Sequence, residues 1–153
     1  MTPIAPPVGT PTAEAPPIDA SPGEHRLEFV RPLAGLPGSL RYALRPLGRE
    51  YEPFATIDSV DEPGLRLVVA PPALLFDDYV IEVPDADCEA LVVDAPDHVG
   101  VLVIVRLDCA PVPVANLMAP IVVNRATGAA AQVVLDGSGY GLMVPVDAGS
   151  ARP

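Results

Sequence analysis

The sequence predicts a mostly β protein, a small antiparallel β-barrel-like domain with one short helix. Half of the residues are hydrophobic, but only 5% are aromatic and none is tryptophan, so valine, leucine and alanine must form the core. Valine is β-branched and favours strands. The apolar runs are short and separated by turn residues, and only one segment has a helical pattern. The 153 residues correspond to about one such domain.

The N-terminal segment, residues 1–24, differs in composition from the rest of the chain. It holds seven prolines, no aromatic residue and no periodic apolar pattern. Such a segment cannot bury enough apolar surface to offset the entropy lost on ordering. We therefore expect a disordered Pro-rich tail over 1–24, a β domain over 25–146 and a flexible C-terminus over 147–153.

The first half of the domain carries the pattern of four short strands. They are predicted over 26–30, 40–45, 53–60 and 65–70. The motif GLPG (35–38) supplies a turn after the first strand, and DEPG (61–64) joins the last two strands into a hairpin. Pro71 and Pro72 end the fourth strand, because proline has no N–H to donate to a sheet.

The second half predicts four further elements around one central strand. DYVIEV (78–83) is predicted as another strand, and PDADCEALVV (84–93) is the one helix candidate, with Asp85 as its N-cap. GVLVIVRL (100–107) is apolar in both phases, which predicts a central strand buried on both faces. PIVVN (120–124) and AQVVL (131–135) are expected to pair across the loop RATGA.

The charge balance excludes several classes of partner. The net charge is −11 at pH 7, and all nine basic residues are arginine. Such a surface repels phosphate backbones and anionic lipid headgroups, so we expect neither direct nucleic-acid binding nor membrane binding. The longest apolar run, VLVIV (101–105), is too short to cross a bilayer. With no signal-peptide pattern, the protein is expected in the cytoplasm with reduced thiols.

Acidic residues concentrate between Arg66 and Arg106, where the sequence contains no lysine or arginine. They are Asp77, Asp78, Glu82, Asp85, Asp87, Glu89, Asp94 and Asp97. This concentration is typical either of an ordinary solvated surface or of a docking surface for a basic protein.

Residues suited to catalysis are few and scattered. His25 and His98 belong to no metal-binding or catalytic motif, and Cys88 and Cys109 lack a neighbouring base, so small buried hydrophobes are the better interpretation of both cysteines. DGSGYG (136–141) fits a turn better than a phosphate-binding loop or a serine elbow. We expect no catalytic, cofactor-binding or metal-binding residue and no enzyme activity. A small hydrolase using His98 is the least favoured alternative.

The order and spacing of four blocks resemble the FliW flagellar assembly factor family over about residues 26–146. The blocks are GLPG (35–38), EPFATIDSV (52–60), PPALLFDDYVIEVP (71–84) and VANLMAPIVVNRATGAAAQVVL (114–135), and NLMAPIVVN is the most specific part. The resemblance implies a compact β-barrel-like fold with one short helix and a cytoplasmic regulator without catalytic activity. It also implies two alternative partners, flagellin before its export and CsrA, a small RNA-binding translational repressor.

In that role, the level of flagellin would control its own translation, because flagellin and CsrA compete for the same regulator. We expect Asp77, Asp78, Tyr79 and Glu82 at the partner surface, with Asn116 and Asn124 as supporting groups. The two asparagines have a second interpretation, as side chains that cap or bridge backbone groups at strand ends. A small β-barrel that binds a ligand is the alternative function.

Overall fold

The computed structural model describes residues 25–93, 95–108, 112–135 and 137–146. The predicted tail (1–24) and C-terminus (147–153) lie outside the described residues. Within them, the chain forms one α-helix, α1 (Asp85–Ala90), and three single-turn 3-10 helices, Arg49–Tyr51, Pro72–Leu74 and Pro96–His98. It also forms nine strands: β1 (His25–Phe29), β2 (Arg41–Pro46), β3 (Ala55–Ser59), β4 (Arg66–Ala70), β5 (Val99–Arg106), β6 (Val114–Ala115), β7 (Ile121–Asn124), β8 (Ala129–Gln132) and β9 (Val144–Pro145).

Seven of the strands close into a barrel. Their order is β4-β3-β2-β1-β8-β7-β5, and β5 pairs back to β4. Strands β6 and β9 extend the sheet outward from the end of β5. Among the described strands every pair is antiparallel except β1–β8, where Glu28 and Phe29 lie beside Ala129 and Ala130. The predicted β-barrel-like fold with one short helix is therefore confirmed, with one parallel pair at its closure.

The interior of the barrel is filled by side chains from all seven of its strands. They are Leu27, Phe29, Tyr42, Leu44, Ile57, Val69, Leu102, Ile121, Val123 and Ala130. The rings of Phe29 and Tyr42 meet edge to face with their centroids 5.2 Å apart, a favourable aromatic geometry. The interior is thus a packed core.

A second core, the outer core, lies on the outside of the barrel. The valines of β5 from Val99 to Val105 take alternate positions and face this outer core, whereas Leu102 and Ile104 face the interior. The prediction that β5 is buried on both faces is confirmed. The outer core is covered by the long connection between β4 and β5, residues 71–98, and by the chain after β8. This cover carries the acidic part of the sequence.

The predicted strand over 78–83 is wrong. Tyr79, Ile81 and Val83 are buried and alternate with exposed Val80 and Glu82, as in a strand, but the segment joins no ladder beyond an isolated bridge at Val83. Its main chain is held by a side chain instead, because the Tyr140 hydroxyl accepts from the Val80 N–H at 3.1 Å and donates to the Val80 carbonyl at 3.1 Å.

Two predicted boundaries also shift. The second strand of the late hairpin occupies 129–132 and not 131–135, because the N–H groups of Val133 and Leu135 turn to the carbonyls of Pro120 and Met118, outside any strand. The hairpin loop is correspondingly shorter and ends at Gly128, whose φ of +86° suits glycine. Asp85 is the first helical residue, and Pro84 takes the N-cap position.

Two buried tyrosines give matched Tyr→Phe variants with opposite expected effects on the free energy of unfolding. Among the described residues, the Tyr42 hydroxyl is the buried side-chain oxygen with no hydrogen-bond partner, whereas Tyr79 donates to the Leu117 carbonyl at 2.7 Å. We expect Tyr42→Phe to raise the free energy of unfolding by about 1 kcal/mol and Tyr79→Phe to lower it by about 1–2 kcal/mol. Urea denaturation measures both, and a loss of stability in Tyr42→Phe contradicts the unsatisfied hydroxyl.

Candidate partner-binding surface

Most of the described acidic side chains of the 71–98 connection lie on its outward side, because its buried apolar side chains cover the outer core. Asp77, Glu82, Asp85, Glu89 and Asp97 are exposed and Asp78 is half-buried. These six residues are called the acidic lobe below. The described part of this region carries no lysine or arginine. Their arrangement suits electrostatic attraction of a basic protein.

The definition of the lobe leaves out two acidic residues of the sequence concentration, Asp87 and Asp94. Asp94 lies outside the described residues. Asp87 points inward from α1, and its carboxylate lies 2.6 Å from the Arg31 guanidinium. The same guanidinium donates to the Gln132 carbonyl at 3.0 Å. Asp87 therefore ties α1 to the loop after β1 and to β8, and its charge is compensated inside the chain.

Tyr79, predicted at the partner surface, lies beneath that surface. Its side chain is 4% exposed and packs edge to face on Tyr140 with centroids 4.7 Å apart. Burial raises the pKa of the Tyr79 hydroxyl well above its usual range, with a smaller effect from Tyr140. The geometry makes Tyr79 a support for its neighbours, exposed Asp77 and Glu82 and half-buried Asp78.

The two asparagines cap and bridge main-chain groups, as their second interpretation proposed. Half-buried Asn116 accepts from the N–H groups of Met118 and Ala119 at 3.1 and 3.2 Å. Buried Asn124 donates to the carbonyls of Leu91 and Val92 at 2.8 and 3.2 Å. The side-chain carbonyl of Asn124 accepts from the Ala126 N–H at 2.9 Å. Asn124 thus joins the end of β7 to the C-terminal end of α1.

Val92, two residues after the end of α1, is a feature that sequence reasoning missed. It has a φ of +55°, and its N–H donates to Glu89 O at 3.1 Å while the Val93 N–H donates to Cys88 O at 3.0 Å. These two bonds form a Schellman motif, in which the residue at the Val92 position is usually glycine. A β-branched residue in this conformation costs about 1–2 kcal/mol. The sequence has no glycine directly after the helix, so it lacks the residue that usually marks such a turn.

Two of the groups considered for chemistry, Cys88 and His98, lie in different surroundings. Cys88 is buried, and its thiol lies 3.8 Å from the Val83 carbonyl. Burial raises the pKa of this thiol, and the negative charges of Asp85 and Asp87 raise it further. Cys109 lies outside the described residues, and His98 is exposed at the end of a 3-10 turn. Within the described residues, no group of three or more His, Cys, Asp or Glu side chains is placed to hold a metal ion.

Two surface grooves flank the β1–β8 pair. One, of about 300 Å³, lies between the start of β1 and the loop after β7. The other, of about 370 Å³, is lined by Glu28, Leu40, Arg41 and Asp61 among others. Asp61 accepts from the N–H groups of Leu40 and Arg41, each at 2.9 Å, and lies 2.6 Å from the Arg41 guanidinium. These hydrogen bonds lower the pKa of Asp61 to about 2.

With this geometry in place, comparison with known proteins is decisive. The family model described as FliW protein matches residues 12–146, most of the chain. The chain belongs to the FliW family. The match includes the acidic lobe, Asn116, Asn124 and Val92, and it begins inside the segment that was expected to be a tail.

Individual relatives agree with the family match. The flagellar assembly factor FliW of Bacillus licheniformis is 33% identical over 125 residues, which cover 80% of this FliW family member and 86% of the relative. The flagellar assembly factor FliW of Syntrophus aciditrophicus is 39% identical over 112 residues, which cover 72% of this chain and 70% of the relative. A crystal structure of the flagellar assembly factor FliW matches with a TM-score of 0.72 and 27% identity, over 79% of this chain and 84% of that chain.

The helices of this FliW family member are short. Among the described residues, no helix has the length and apolar character needed to cross a membrane.

Replacing Asn124 tests its bridging role. Asn124→Ala leaves the carbonyls of Leu91 and Val92 without their donor, and we expect the free energy of unfolding to fall by about 2–4 kcal/mol. Asn116→Ala is the matched control. It removes a half-buried cap, so a fall of about 1 kcal/mol is expected. Denaturant unfolding of both variants gives the comparison, and equal losses contradict the bridge from β7 to α1.

The low pKa of Asp61 predicts a stability change in acid. An aspartate in an unfolded chain has a pKa of about 3.9, and the folded value is about 2. Because the folded pKa is depressed, the stabilising contribution is complete above about pH 4–5 and is lost as the pH falls toward 2. We expect the difference in unfolding free energy between the wild type and Asp61→Asn to shrink over that range. Glu62→Gln removes a neighbouring charge without these hydrogen bonds, and a similar pH dependence for it contradicts the assignment.

Proposed function

We propose that this chain is a cytoplasmic, non-enzymatic flagellar assembly factor that binds flagellin and antagonises a CsrA-type translational repressor. Membership of the FliW family is the observation that carries the proposal. The names of its relatives, flagellar assembly factors, support the general role. The two partners and the cytoplasmic location are the finer part of the proposal and come from the resemblance described above.

The charge of the surface supports a repressor as one partner. A protein that binds RNA presents basic side chains to the phosphates. The carboxylates of the acidic lobe are negatively charged, as RNA phosphates are. The lobe therefore attracts the same basic surface of the repressor and competes with the messenger RNA for it. Complementary charge raises the association rate most strongly at low salt, because counter-ions screen exposed charges.

We propose Asp77, Asp78 and Glu82 as direct partner contacts. Asp77 and Glu82 are exposed and Asp78 is half-buried, and all three are carried by the segment that Tyr79 anchors. Tyr79 and Asn116 then support the surface from below, and Asn124 supports it at the end of α1. A firmly held acidic segment loses little conformational entropy on binding, which favours affinity.

We further propose that residues 25–146 form the partner-binding domain, with 1–24 and 147–153 as extensions. Competition between the two partners makes the chain a regulator. When flagellin is exported, the chain is released to sequester the repressor, and flagellin translation proceeds. When flagellin accumulates, it occupies the chain and the repressor returns to its message. None of these steps requires a catalytic group.

A ligand-binding barrel has less support. Side chains from all seven strands fill the interior, and the grooves described above are on the surface. A small ligand of the usual kind binds in a concave, mostly apolar cavity.

Charge reversal in the acidic lobe tests the proposal. We expect Asp77→Arg and Glu82→Arg each to weaken binding of the purified repressor by roughly five- to tenfold in Kd, and added salt to weaken wild-type binding as well. Glu50→Arg is the control, since exposed Glu50 lies in the 3-10 turn Arg49–Tyr51, outside the lobe. Calorimetric titration with the repressor and with flagellin measures each Kd. Absence of binding to both partners at micromolar concentration contradicts the proposed function.

A further inference from the structure

Val92 combines two properties that both disfavour a valine at its position. Its φ of +55° belongs to the left-handed region, where a β-branched side chain is strained. Its side chain is 74% exposed, the highest value among the large hydrophobic side chains of the described residues. Glycine would relieve the strain and remove the exposed apolar group. The chain therefore retains a side chain that contributes little to its own core and strains its backbone.

The turn that carries Val92 is nevertheless firmly held. The Schellman hydrogen bonds fix its main chain from the α1 side, and Asn124 donates to its carbonyl from the β7 side. Val93, the next residue, packs on the outer core. A fixed, exposed apolar side chain is suited to contact with another molecule, because ordering it on binding costs little entropy.

We propose that Val92 is an apolar contact residue for the basic repressor, in a docking surface that extends from the acidic lobe over the C-terminal end of α1. This inference rests on the proposed function and adds a contact to it. The charges around Val92 select the class of partner, since exposed Asp85 and Glu89 lie on α1 just before it. The partner buries Val92 with an apolar side chain and meets the carboxylates with arginine or lysine.

Two variants of Val92 separate its effect on the stability of the chain from its effect on binding. Val92→Gly removes both the strain and the side chain, and the relief of strain exceeds the entropy that glycine adds to the unfolded chain, so we expect its Tm to rise by about 1–5 °C. We expect its Kd for the repressor to weaken by about tenfold. Val92→Ala removes most of the side chain but keeps a Cβ in the left-handed region. We expect a similar weakening of binding without a rise in Tm.

Val134→Ala is the matched control. Val134 is 56% exposed, it follows β8, and it lies outside the acidic lobe. Its substitution should leave both Tm and Kd close to the wild-type values. The experiment uses the full chain with the purified repressor of its host, thermal unfolding for Tm and calorimetric titration for Kd.

The outcomes distinguish this inference from the function on which it rests. Wild-type binding that Val92→Gly leaves unchanged overturns the contact role and leaves the proposed function standing. Weakened binding of flagellin, with repressor binding unchanged, overturns the choice of partner. A Tm that does not rise in Val92→Gly overturns the strain argument. If the wild type binds neither protein, the proposed function fails and the inference fails with it.

Discussion

The structure depends on β5 being apolar on both faces. One face, with Leu102 and Ile104, completes the interior of the barrel, and the other presents four valines outward. Exposed valines in a row would lose the free energy of burial, about 1.5–3 kcal/mol for each side chain, and would leave a surface prone to aggregation. A barrel alone cannot satisfy this strand. The long connection between β4 and β5 is therefore needed as a cover, and its path over the outer core fixes which of its residues face water.

The cover is irregular, so its polar main-chain groups require partners that a sheet would otherwise supply. Two side chains meet part of this requirement, because Tyr140 bonds both main-chain groups of Val80 and Asn124 bonds the carbonyls at the end of α1. Tyr79 in turn donates its hydroxyl from the cover to the Leu117 carbonyl. Each of these residues links the cover to a different part of the chain. The acidic lobe is consequently presented by a segment whose main chain is anchored at several points.

The strands of the barrel were predictable because their signals are local. The β3–β4 hairpin has the DEPG turn between two alternating runs, and β5 shows its double burial directly in its composition. The segment 78–83 has the same alternation, but its main chain at Val80 is hydrogen-bonded to the Tyr140 hydroxyl and not to a neighbouring strand. Sequence periodicity indicates which side chains are buried, but it does not indicate the hydrogen-bond partners of the main chain. The parallel β1–β8 closure and the Arg31–Asp87 pair join residues far apart in sequence, so no local pattern indicates them.

The site divides in the same way. Exposure of Glu82 follows from alternation with buried neighbours, whereas the burial of Tyr79 and Asn124 depends on contacts with residues 38 and 33 positions away. Concentrated carboxylates repel one another, and Val92 strains its turn, so both features lower the stability of the free chain. Under the proposed function, a basic partner would relieve the charge repulsion and bury the apolar side chain of Val92 in the complex. A partner that binds only the folded chain stabilises it, so binding and folding would be linked through these two features.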